Sequence, residues 1–208
     1  MKTIEVNIYE FSELSEEAKE RVINKFRDDN YNNPYFINEV NDSFEKFADL
    51  FSIDWRNIDY EEPYRNEYSI KLDADIKALS GQRLATYIWN NYKGDIFKGK
   101  YYSLWSKKEK SYKHYKEGYP ALKQRYSKIQ LDNSCILTGV CYDDDLLMPI
   151  YDFLNKPTSV DFETLLNDCI YSLCHSVSSE IEYSNTDQAI IETIEINDYE
   201  FSGEGEIV

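Results

Sequence analysis

The sequence predicts an α+β fold, a small and mostly antiparallel sheet packed by two long amphipathic helices, on three observations. Lys2 to Tyr9 sets Ile4, Val6 and Ile8 against Thr3, Glu5 and Asn7, the alternation of period two that a half-buried strand requires. Phe36, Ile37, Val40, Phe44, Phe47, Ala48 and Phe51 keep the three-and-four spacing of one helix face. Phe162, Leu165, Leu166, Cys169, Leu173, Val177 and Ile181 do the same later in the chain. At 208 residues the chain can bury one substantial core, so residues 1–208 are expected to form a single domain with one excursion, residues 93–128.

Between these landmarks the punctuation is legible. Ser15 suits the N-cap of a helix opening on Glu16 and Glu17, where carboxylates meet the positive end of the helix dipole. Its inward stripe is Ala18, Val22 and Phe26 with Ile23, and its solvated face holds Glu16, Lys19 and Glu20. Asn33-Pro34 reads as N-cap and first residue of the phenylalanine-rich helix, because proline lacks only an N–H that is unpaired there anyway. Two short strands are expected between Ser52 and Leu72, turning near Glu62-Pro63. A helix follows with Leu84, Ala85, Ile88, Trp89 and Tyr92 on one face, and Gly94 is placed to end it. Leu131 to Tyr142 is β-prone, Leu146 to Leu154 suggests a helix closed by Pro157, and Ala189 to Ile194 suggests a last short one. Tyr199-Glu200-Phe201-Ser202 repeats Tyr9-Glu10-Phe11-Ser12, which fits termini that meet on one sheet.

Charge is distributed unevenly. Lys93 to Lys128 gathers eleven Lys and Arg against Asp95, Glu109 and Glu117, about +8, so the remaining residues carry −24 of a whole-chain −16. Within it Lys100, Lys107, Lys108, Lys110, Lys113 and Lys116 alternate with Tyr101, Tyr102, Trp105, Tyr112 and Tyr115. Cations for phosphates interleaved with rings for base stacking are what single-strand binders use, and lysine, a point charge, reads no sequence. A helical hairpin docked on the acidic body is the structural alternative.

Catalytic chemistry is weakly marked. Asp143-Asp144-Asp145 offers three carboxylates that can hold Mg²⁺ in a metal-dependent enzyme, or cap the next helix. Cys169, Cys174 and His175 sit at a spacing that points to different helix faces, whereas zinc wants tetrahedral convergence. The expectation is no cofactor, no metal and no catalytic residue. Without a charged-then-apolar leader or an 18-residue apolar window, the chain is expected in the cytoplasm, away from membranes, with Cys135, Cys141, Cys169 and Cys174 reduced and buried.

The opening IYEFSELSEEAKERVINKFR and the closing SNTDQAIIETIEINDYEFSGEG resemble a group of small phage and prophage proteins of undefined function. Those begin with a strand and a Phe-x-Glu-Leu-Ser-x-x-Ala-Lys helix, here Phe11, Glu13, Leu14, Ser15, Ala18 and Lys19, and finish on Asn-x-Tyr-Glu-Phe, here Asn197, Tyr199, Glu200 and Phe201. The match covers about 40 residues at the two ends and transfers no catalytic residue. It implies a viral or mobile-element context, in which small acidic proteins resemble inhibitors of restriction or RNA-guided nucleases. The resulting expectation is a non-enzymatic anti-restriction or anti-CRISPR inhibitor that blocks a host nuclease, with Glu16, Glu20, Asp28 and Asp29 as its acidic contacts. The alternative is a nucleic-acid-binding accessory protein acting through residues 93–128.

Overall fold

The computed structural model describes residues 7–32, 36–97, 102–104, 123–125 and 135–208, and these build an α+β fold of helices with short antiparallel strand pairs. The elements run β1 (Tyr9–Glu10), α1 (Glu16–Asn32), α2 (Ile37–Phe51), β2 (Ile53–Asn57), β3 (Glu67–Ile70), α3 (Ala74–Lys77), α4 (Gly81–Ile96), β4 (Tyr102–Leu104), β5 (Lys123–Arg125), α5 (Tyr142–Asn155), α6 (Phe162–Ser184), α7 (Asp187–Ile196) and β6 (Glu200–Phe201). The strands pair as β1 with β6, β2 with β3 and β4 with β5, separate ribbons where one sheet is expected. Two compact units result, one from Met1–Asn38 with His175–Val208, the other from Glu39–Cys174, so α6 supplies residues to each.

In the first unit the Ser15 hydroxyl accepts the Ala18 N–H at 3.2 Å, the expected N-cap of α1. Leu14, Ala18 and Val22 of that segment bury against Ile190 and Ile194 of α7 and Phe201 of β6. The Thr186 hydroxyl caps α7 by accepting from the Ala189 N–H. The repeated tetrapeptides meet, with Tyr9 opposite Phe201 and Glu10 opposite Glu200. Of the strand expected from Lys2, residues 1–6 lie outside the described residues, as does the Asn33-Pro34 cap.

In the second unit α2 buries Val40, Phe44, Phe47, Ala48 and Phe51, the stripe its spacing requires. The Phe51 ring lies 4.8 Å from those of Phe47 and Tyr92 and 6.1 Å from that of Phe162, so α2, α4 and α6 share one aromatic cluster. Strands β2 and β3 pair Ile53 with Ile70 and Trp55 with Tyr68, and a single 3-10 turn at Pro63–Arg65 follows the expected bend. Helix α4 does not stop at Gly94. It continues to Ile96, because Ile96 is fully buried, Phe97 nearly so, and the Tyr151 hydroxyl donates to the Ile96 carbonyl at 2.6 Å.

The β-prone stretch is also corrected over its described part. Residues 135–141 are turns and bends, since Cys135 and Gly139 take positive φ values of 55° and 99° that no strand accepts. In the excursion the six described strand residues pair Tyr102 with Arg125, Ser103 with Gln124 and Leu104 with Lys123, and the rest of residues 98–128 lies outside the described residues.

Candidate functional site

Helix spacing decides which acidic residues of α1 can act together. Glu16 and Glu20 stand one turn apart on one stripe, whereas Asp28 and Asp29 fall roughly 120° and 140° away from Glu16, on opposite sides. All four are exposed. Glu16 and Glu20, with Glu17, Lys19, Asn24 and Arg27, edge a groove of about 560 Å³ whose apolar lining is Phe11, Ile23 and Ile191. Asp187 of α7 contributes a further carboxylate there. Lys19 bonds Glu16 at 3.0 Å, and Arg27 is committed to Asp187, to Asn24 Oδ1 at 2.7 Å and to the Asn185 carbonyl at 3.1 Å. Both cations of the groove are thus engaged by neighbours, and Glu17 and Glu20 take no ion pair among the described residues. An acidic rim over an apolar floor favours a cationic surface with apolar anchors.

Asp29 belongs to a different neighbourhood, near Lys25, whose ammonium bonds Glu206 at 2.7 Å. That bond and its charge hold the Glu206 carboxyl below its ordinary value and the Lys25 ammonium above its own. The depressed carboxyl stabilises the fold above its unfolded pKa, and the contribution is lost as pH falls through its folded pKa. The raised ammonium contributes below its unfolded pKa and loses this only as pH climbs through the folded one. Arg21 Nε donates to the Glu204 carbonyl at 3.1 Å, so the last residues of the chain lie strapped along α1. A second hollow, of about 350 Å³, lies beside the β1–β6 ribbon and is lined by Glu10, Phe11, Ser12, Ile194, Glu195, Asp198, Tyr199 and Glu200.

The unit that carries these surfaces is unbalanced in charge. Its two segments, residues 1–38 and 175–208, hold 17 Asp and Glu against five Lys and Arg, and the second segment has no Lys or Arg at all. Sequence reading found Glu16 and Glu20 but missed Glu17, Asp187 and the Phe11, Ile23, Ile191 floor. Those join α1 to α7 across the length of the chain, and the only signal for that meeting is the repeated tetrapeptide.

The other candidates divide. Side chains of Lys100, Tyr101, Tyr102, Trp105, Lys107, Lys108, Lys110, Tyr112, Lys113, Tyr115 and Lys116 lie outside the described residues. Asp143 is fully buried, and its oxygens accept from the Thr138 N–H at 2.7 Å, the Thr138 hydroxyl at 2.8 Å and the Gly139 N–H at 3.2 Å. Asp144 accepts from the Cys135 N–H at 3.0 Å. These carboxylates sit in the first turn of α5 and hold the loop before it, where capping of the helix itself is the sequence expectation. Cys169 and Cys174 are buried while His175 is exposed, and among the described residues no group of three or more His, Cys, Asp or Glu is arranged to hold a metal ion. Cys135 is half-buried and Cys141 exposed, a correction to the expectation of four buried thiols, because the loop that carries them runs along the surface.

Among the described residues no helix is long and apolar enough to cross a membrane. In comparison with known proteins, the chain matches no family model, no curated protein and no solved structure.

Proposed function

We propose that the protein is a non-enzymatic inhibitor, encoded by a phage or prophage, of a host defence nuclease of the restriction or RNA-guided type. The observation that carries this reading is the concentration of carboxylates in the unit built on α1 and α7, where the Glu16, Glu17, Glu20 and Asp187 rim surrounds an apolar floor. A nuclease groove is built to neutralise a phosphate charge about every 1.7 Å of duplex axis, so a rigid acidic ridge competes for the same lysines and arginines. The apolar floor adds contact area that DNA does not offer, which lets inhibition persist as salt rises.

The test is charge reversal. Replacing Glu16, Glu20, Asp28 and Asp29 with Lys is expected to weaken inhibition of DNA cleavage while thermal unfolding stays cooperative, since all four are exposed. Because Glu16 and Glu20 share the groove and the aspartates do not, Glu16→Lys with Glu20→Lys is expected to account for most of the loss. Inhibition unchanged by all four reversals, at every salt concentration, removes this face from the mechanism.

The +8 charge of residues 93–128 favours a second reading, a nucleic-acid-binding accessory protein. The same assay separates the two when labelled single-stranded DNA is added to the protein without any nuclease. Salt-sensitive retention there supports the second reading.

A further inference from the structure

The loop between the basic excursion and α5 brings together two cysteines that neither the inhibitor reading nor the core uses. The Cys135 N–H donates to Asp144 Oδ1 at 3.0 Å, and the Asp144 N–H donates to the Cys141 carbonyl at 3.0 Å, so one residue ties down the backbone at both ends of the loop. Between them Thr138 and Gly139 are held by Asp143, and the Thr138 hydroxyl meets the buried Ser43 hydroxyl of α2 at 3.1 Å. The loop is therefore preset by its hydrogen bonds, and Asp144 draws its two cysteines, Cys135 and Cys141, toward one place, with Cys141 among the groups that act on the Cys135 thiol. Cys169 and Cys174, by contrast, are fully buried, and Asn66 Nδ2 is within 3.5 Å of the Cys174 sulfur.

We propose that Cys135 and Cys141 form a dithiol modification site, whose substrate is a small organic disulfide and whose product is a Cys135–Cys141 bridge. Cys141, the exposed member, reacts first. Burial, Cys141 and the nearby Asp144 and Asp143 carboxylates all push the Cys135 thiol up, which makes it the poorer of the two at attacking a disulfide from solution. The Cys141 thiolate attacks one sulfur of the disulfide RSSR and expels RS⁻, leaving a mixed disulfide on Cys141. The Cys135 thiolate then attacks the Cys141 sulfur and expels the second RS⁻. One protein S–S bond forms, RSSR is reduced to two RSH, and the two protons lost by the protein thiols are taken up by the released thiolates. Bond formation needs the two sulfurs to close to about 2.05 Å.

The test uses the full-length protein, treated with oxidised glutathione without denaturant and followed by mass spectrometry of the intact chain and of its peptides. Wild type is expected to pass through one transient glutathione adduct and end two hydrogens lighter, with residues 135 and 141 in one cross-linked peptide and Cys169 and Cys174 unmodified. Cys135→Ser is expected to stop at a stable adduct on Cys141, and Cys141→Ser to react far more slowly than wild type. Retained thermal unfolding certifies that each variant is folded. Should a variant fail that check, the wild-type time course still decides, because a persistent Cys141 adduct or an unreacted pair overturns the proposal. Cross-linking to Cys169 or Cys174 overturns it equally.

Discussion

Asp143→Ala is expected to lower the free energy of unfolding by about 3 to 5 kcal/mol, the range for removing one partner of a buried charged network. The side chain is fully buried and takes three bonds, two from N–H groups and one from the Thr138 hydroxyl. Truncation leaves those donors facing no acceptor, and opens the contact between the loop and Ser43 of α2. A shift of the urea midpoint with an unchanged slope is the expected signature. Asp143→Asn keeps the shape but turns an amide donor toward other donors, so it is expected to fall between wild type and alanine. A loss below about 1 kcal/mol for Asp143→Ala contradicts a structural role in holding the loop.

Gly205→Ala is expected to cost about 2 to 4 kcal/mol, combining backbone strain with overpacking. Gly205 sits at φ 88°, outside the ordinary range of an L side chain, and an added Cβ meets Val22 Cγ2 at 3.0 Å and the Ala18 carbonyl oxygen at 3.1 Å. The backbone of α1 cannot yield, so the terminal strap must lift. Hydrogen exchange at the Gly205 and Glu206 amides, bonded to Ser202 in the native form, reports that lifting directly. Native protection together with a native unfolding midpoint in the variant contradicts the close approach.

What was legible in the sequence follows from locality. The α2 stripe and the α6 stripe are periodic, and periodicity survives any tertiary arrangement that buries one face, so both helices stand where they are expected. Gly94 misleads because the propensity of one residue is weaker than the burial of Ile96 and Phe97 beyond it. The aspartate run marks the start of α5 correctly, but its hydrogen bonds run backward to Thr138 and Gly139, which depends on a loop path that composition does not encode. The groove is half legible for the same reason. Glu16 and Glu20 follow from an amphipathic helix, whereas Asp187 and Ile191 reach it only because α7 packs on α1.

The measurement that tests the central claim most directly is displacement of a labelled DNA duplex from a purified restriction or RNA-guided nuclease, titrated with this protein and with the quadruple reversal of Glu16, Glu20, Asp28 and Asp29. The account predicts that wild-type protein releases the duplex at a fixed stoichiometry, without altering either DNA or nuclease covalently, and that the reversed variant releases far less. Nucleases that keep their DNA at a large excess of the wild-type protein, or a substoichiometric loss of nuclease activity that marks turnover, would contradict it.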